Sequence, residues 1–193
     1  MIQSKPLSIE NISEEDLFQA CSIGNINLIK EKLINTKLNV NKIVNDDGET
    51  LFIYACKRGQ LEIVRFLLNS PFLKEKANIL DVNKDGMNGA MLACHHGWLN
   101  VLDYLLSSKE LINHIDMYAK DNNGWSLLEF SCYDNYNSYN IFPYLILDKK
   151  MKVEEDFYNS LNDMGKKIID SRNVKDRLEN TLFIKNKTTS NKI

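Results

Sequence analysis

The sequence is informative first for what it lacks. No apolar run approaches the ~18 residues of a membrane helix. Residues 1–12 carry no apolar core of signal-peptide length, so a soluble, non-secreted chain is expected, cytoplasmic in its own cell or in a host's. Neither sign of charge dominates: 24 Lys and Arg stand against 26 Asp and Glu, a net charge of −2. Nothing in that balance asks for nucleic acid or an anionic membrane as partner. The eight Lys and Arg between Lys166 and Ile193 face three acids, but they are dispersed and lack an aromatic stacking platform, which reads as a solvated face.

Signatures of chemistry are missing as well. There is no G-x-S-x-G elbow, no G-x-x-x-x-G-K-[ST] phosphate loop and no H-E-x-x-H pair. No enzyme, small-molecule substrate or cofactor is therefore expected. Four cysteines are present without a C-x-x-C pair, and the carboxylates Asp46, Asp47, Asp81 and Asp85 lack the spacing of a twelve-residue calcium loop. The three histidines are His95, His96 and His114. Neighbours in a helix diverge by ~100°, so His95 and His96 do not chelate one ion without further ligands.

What is present is a repeat. Cys21, Cys56, Cys94 and Cys132 are spaced by 35, 38 and 38 residues, and regular spacing of this kind calls for a repeat alignment. Ala20, Ala55, Ala93 and Ser131 then coincide, followed at a fixed offset by Gly24, Gly59 and Gly97, with Asn135 in the fourth copy. Gly48, Gly86 and Gly124 each end a polar turn, Asn45-Asp46-Asp47-Gly48, Asn83-Lys84-Asp85-Gly86 and Asp121-Asn122-Asn123-Gly124. Such turns combine positive φ at Gly with side-chain-to-backbone bonds at Asn and Asp. After Gly59, the residues Leu61, Ile63, Val64, Leu67 and Leu68 form a stripe with helical spacing, repeated by Leu99, Val101, Leu102, Leu105 and Leu106. Each unit reads as turn, short helix, Gly break, second helix. Helices under ~12 residues are marginal alone, so stacking must supply the core.

The stretch Gly48 to Leu68 closely resembles the ankyrin repeat, with its G-x-T-P-L-H-x-A helix, Gly turn and I-V-x-x-L-L helix. The Thr-Pro-Leu-His start survives only as Thr50 and Ser126, so weaker helix-start hydrogen bonds are expected in the other copies. The 38-residue period exceeds the usual one by about five residues, placed near 71–77 and 109–114. An all-α ankyrin solenoid with short β-turn fingers is implied. Its expected limits are an extension at 1–12, units near 13–44, 45–82, 83–120 and 121–161, a degenerate cap at 162–184 and a polar tail at 185–193. The first unit, with Glu14, Glu15 and Asp16 opening its helix, reads as an N-terminal cap. In the fourth, Ile141, Phe142, Leu145 and Ile146 form the second stripe, which confines Pro143 to the first helical turn. Asn162 to Gly165 followed by Ile168 and Ile169 reads as one more turn and helix. The cysteines are expected to be small buried residues in a reducing compartment, since repeat-equivalent positions lie ~8–10 Å apart and a disulfide needs ~7 Å or less.

The resemblance also implies a function: binding another protein, as a monomer, through finger tips and an inner helical face. The finger positions are Asp46, Asp47 and Glu49, then Lys84, Asp85 and Met87, then Asn122, Asn123 and Trp125. The inner face adds Lys57 and Arg58, His95 and His96, Tyr133 and Asp134, with Trp98 beyond the Gly97 break. Aromatic side chains within a charged rim compose an interface hot spot; the competing reading makes Trp98 and Trp125 fillers between irregular repeats. Alternative roles are a targeting subunit of a larger assembly such as a ubiquitin ligase, or a structural solenoid without a partner. A host-interaction factor is one form the binding role takes. The excess of Lys over Arg and the abundance of Asn suit A/T-rich genomes, such as those of large DNA viruses, protists and intracellular bacteria, and speak to the genome instead of the chemistry.

Overall fold

Nearly every first helix of a repeat starts at a side chain that caps it. The computed structural model describes residues 13–111, 114–132 and 140–173. Ser13 opens α1 (Glu14–Ser22) in a capping box with Asp16, whose carboxylate the Ser13 backbone and hydroxyl hydrogen bonds hold below its ordinary range. Thr50 opens α3 (Leu51–Lys57), accepting from Ile53 N at 3.4 Å. Asn88 opens α5 (Gly89–His95), accepting from Met91 N at 2.9 Å. Ser126 precedes α7 (Leu127–Cys132), with its N–H and hydroxyl both donating to Glu129. The expectation of a weakened start in the third copy is thereby corrected, because the Asn amide reaches the free N–H groups as well as a Thr hydroxyl does.

The second helices are α2 (Ile26–Thr36), α4 (Leu61–Asn69) and α6 (Leu99–Ser107). Asn25 caps α2, but Gln60 and Trp98, at the starts of α4 and α6, make no such bond. They reach back instead: Gln60 Nε2 donates to Ser22 O at 3.2 Å, and Trp98 Nε1 to Lys57 O at 2.9 Å. Both acceptors lie two residues before the Gly of the preceding repeat, so these are equivalent bonds tying one unit to the next.

The chain divides into two compact units, Met1–Tyr139 and Asn140–Ile193. In the first, α1, α3, α5 and α7 lie side by side, and α1, α3 and α5 each pack on the helix that follows. Ala20, Ala55, Ala93 and Ser131 are all buried, which gives the repeat-equivalent small residues one common environment. Small side chains let the helices approach: a Cβ at Gly89 would stand 2.9 Å from Cys56 Sγ and 3.0 Å from Phe52. In the apolar stripes of α4 and α6, Ile63, Val64, Leu67 and Leu68 and their equivalents Val101, Leu102, Leu105 and Leu106 are buried, worth ~1.5–3 kcal/mol for each fully buried Leu or Ile, while Leu61 and Leu99 at the helix starts are half-buried. Among the described residues the only extended pairings are two isolated bridges, Val44 with Thr50 and Val82 with Asn88, at the finger bases.

The first loop that carries added length, near 71–77, is held by asparagine. Asn39 Nδ2 donates to Glu75 at 2.8 Å, Asn41 Nδ2 to Lys76 O at 3.0 Å, and Asn78 N to Asn41 Oδ1 at 2.9 Å. Asn abundance thus has structural uses beyond codon bias.

Cys21, Cys56 and Cys94 are buried free thiols, whereas Cys132, expected to be buried, is exposed at the end of α7. Burial pushes the three buried thiols up, Cys21 to about 12, because a thiolate loses its hydration there.

In the second unit, α8 (Ile141–Pro143) runs on into a π-turn, Tyr144–Asp148. Pro143 sits in the opening turn, where no N–H is required, and Ile141, Phe142, Leu145 and Ile146 are buried. Helix α9 (Glu155–Ser160) follows, a helix absent from the sequence-based expectation. Arg172 donates to Met151 O at 2.7 Å. Residues 163–173 are helical, and Asn162 caps them by accepting from Gly165 N at 2.9 Å. Asn162 to Gly165 is therefore a helix start and not a finger turn; Gly165 has no positive φ. Val174, Leu178, Leu182 and the tail at 185–193 lie outside the described residues.

Candidate functional site: the fingers and the groove beside them

Each finger is organised by its first residue. Asn45 Oδ1 accepts from Asp47 N and Glu49 N, Asn83 Oδ1 from Asp85 N and Met87 N, and Asp121 Oδ1 from Asn123 N and Trp125 N, all at 2.8–3.0 Å. The glycines that close the turns have φ of +75°, +79° and +83°, a region closed to most L-residues. Neighbouring fingers are laced together by Lys84 N donating to Asp47 O at 3.0 Å and Asn122 N donating to Asp85 O at 2.9 Å. Asn122 Nδ2 also donates to Lys84 O at 2.9 Å. Rigid fingers at fixed spacing are the consequence.

Between fingers 83–87 and 121–125 and above α5 and α7 lies an open groove of about 530 Å³, lined by Asp85, Met87, His95, Asp121, Asn123, Trp125 and Phe130. The Phe130 ring stacks edge-on to His95 at 5.6 Å and tilted to Trp125 at 5.5 Å. The floor is thus a ring cluster and Met87, with carboxylates at the rim. Among the described residues no group of three His, Cys, Asp or Glu side chains could hold a metal ion.

Sequence profiles of ankyrin repeats match twice, one described as many copies over residues 17–68 and one as three copies over residues 70–156. The chain belongs to the ankyrin-repeat family. Ankyrin repeats generally mediate protein–protein interaction and are not catalytic. A stretch of 62 residues is 34% identical to the acyl-CoA-binding domain-containing protein 6 homolog of Dictyostelium discoideum, covering 32% of this chain and 21% of that protein. The chain thus spans about a fifth of that relative's length. Its fold is similar to a chain in the crystal structure of the yeast ribosomal protein Rps3 in complex with its chaperone Yar1, with a TM-score of 0.58 and 17% identity over 78% of this chain and 100% of that one. Among the described residues no helix is long and apolar enough to cross a membrane.

The ankyrin frame places the expected contact residues unequally. Asp85, Met87, His95, Asn123 and Trp125 come together in the groove, with Met87 turned inward as floor. His96 stacks against His95, ring centroids 5.0 Å apart. Burial holds both imidazoles below their ordinary value, which disfavours positive charge at this histidine pair. Asp46, Asp47, Lys84 and Asn122 are exposed finger-tip residues away from the groove.

Glu49 is a different case. Only 1% exposed, it receives Lys57 Nζ at 2.7 Å and Asn45 Nδ2 at 2.8 Å, so it braces the finger from within. Lys57 is spent on the same contact, with Asp47 3.5 Å away. Burial alone would pull its ammonium down, but Glu49 and Asp47 outweigh that and hold it above its ordinary value. Arg58 is exposed and lies 5.9 Å over the Tyr54 ring. Trp98 lies against Gly59, where a Cβ would run into the indole, so it packs as a filler between repeats. Tyr133 and Asp134 lie outside the described residues. Phe130 was missed by sequence reasoning. Its signal was available, since it is the residue before Ser131 and so aligns with Tyr54 and Leu92, on the face of α7 that adjoins the finger.

Proposed function

We propose that this ankyrin-repeat chain binds a partner protein through the groove between fingers 83–87 and 121–125. The observation that carries the reading is the groove itself: rigidly laced fingers converge with α5 and α7 on Met87, His95, Trp125 and Phe130, leaving an apolar floor open to a partner. Aromatic groups inside a polar rim concentrate binding energy. The similar fold in a complex of a ribosomal protein with its chaperone supports the reading by analogy.

The test is site-specific crosslinking. A photoreactive residue at Asn123, on the groove, should capture a partner protein in cells, and one at Glu62, on the outer face of α4, should not. Trp125→Ala should abolish capture while lowering the melting temperature by only a few degrees. Capture at Glu62 with none at Asn123 removes the groove from consideration.

A further inference from the structure

The finger ladder ends beside the groove, and its end is chemically specific. Asp47 O accepts from Lys84 N and Asp85 O from Asn122 N; Asn123 O is the next carbonyl in this series. Among the described residues no N–H is donated to it. The glycines report the same boundary. A Cβ at Gly48 would meet Lys84, one at Gly86 would meet Asn122, and one at Gly124 would have no atom within 4 Å. An unused backbone acceptor with open space beside it thus lies on the groove's lip.

The charge around the groove has one sign. Among the described residues its charged lining side chains are Asp85 and Asp121, and no Lys or Arg lines it. Lys84, on the same finger as Asp85, lays its stem over Gly48 of the preceding finger, and Lys57 is occupied by Glu49 and Asp47. Asp121 already accepts the N–H groups of its own finger, whereas the Asp85 side chain is exposed.

We infer that the groove takes an extended segment of the partner in which an aromatic or branched apolar side chain stands next to an arginine. The inference rests on the groove being the partner site. The apolar side chain covers Met87, Trp125 and Phe130, the guanidinium meets Asp85, and a backbone N–H of the segment donates to Asn123 O, extending the ladder by one rung. Arginine fits better than lysine because its planar fork pairs with a carboxylate while its face lies on an indole. An acidic neighbour in the same segment is repelled by Asp85.

The experiment is selection of nine-residue peptides from a random phage-displayed library on the full chain, followed by fluorescence polarisation with the most enriched peptide. Enriched sequences should pair Arg with an aromatic, Leu or Ile within two positions. Enrichment should disappear on Trp125→Ala and on Asn123→Arg; the second variant alters an exposed finger residue and serves where the first loses its fold. Replacing the peptide's Arg by Glu should weaken binding on the order of tenfold, and Asp85→Lys should restore much of that loss by exchanging the charges. Neutral or acidic peptides that still depend on Trp125 would overturn the inference and leave the groove as the partner site. Enrichment indifferent to both variants, or no enrichment, overturns both.

Discussion

Trp98 offers a quantitative check on how the repeats are joined. It keeps 38% of its surface in water, so roughly 150 Å² of the residue is withdrawn from solvent against Gly59 and its surroundings. At about 25 cal/mol per Å² this gives about 4 kcal/mol, an upper bound because unfolded chains already hide some apolar surface. The Nε1 bond to Lys57 O adds about 1 kcal/mol. Trp98→Ala is therefore expected to cost roughly 2–4 kcal/mol, on the order of 5–15 °C in melting temperature for a chain of this size. Urea unfolding followed by circular dichroism measures it. The companion variant is Gly59→Ala. In the wild-type background its Cβ collides with the indole and its φ of +72° is strained; in the Trp98→Ala background only the strain, about 1 kcal/mol, remains. The two variants should couple by 1 kcal/mol or more. A Trp98→Ala cost below about 0.5 kcal/mol, or strict additivity with Gly59→Ala, would refute the filler role and return Trp98 to the list of contact residues.

Other outcomes follow from single contacts. Lys57→Met strands the buried Glu49 carboxylate and should cost about 1–3 kcal/mol by chemical unfolding, with most of it recovered by adding Glu49→Gln. Asn83→Ala leaves Asp85 N and Met87 N without their acceptor and should cost about 1–2 kcal/mol, while Asn83→Asp should be tolerated, since Asp121 does the same work in the next finger. His95 and His96 titrate below their ordinary 6.5 when folded, so the unfolded chain binds more protons. Stability should be complete above about pH 6.5 and decline as pH falls below it, and a His95→Phe/His96→Gln variant should show a flatter slope between pH 7 and 5.5 in thermal melts. Under thiol labelling at pH 8, Cys132 should react first, and Cys21, Cys56 and Cys94 only on unfolding; equal rates for all four would contradict their burial.

The parts of the fold that local chemistry specifies were legible without coordinates. Asn45, Asn83 and Asp121 three residues before a Gly define the fingers, because an Asx side chain and a positive φ are satisfied within the same turn. The stripes of α4 and α6 were legible too, because a short amphipathic helix has one face to bury. The break at Asn162 to Gly165 misled, since Asn before Gly suits a turn and a helix cap alike, and only the chain beyond it chose between them.

The sequence by itself determined the repeat, its period, its small residues at the helix crossings and its family. Tertiary structure alone decided which polar and aromatic positions come together in the groove and which are buried within the repeats. Glu49 and Lys57 turned to each other, Trp98 turned onto Gly59, and Phe130 joined His95 and Trp125. These outcomes depend on distances between residues about 38 positions apart or on the pairing of two side chains within one repeat, and periodicity carries neither. A repeat pattern fixes which residues are equivalent; packing between neighbouring copies, where the side chains are not equivalent, fixes what each one touches.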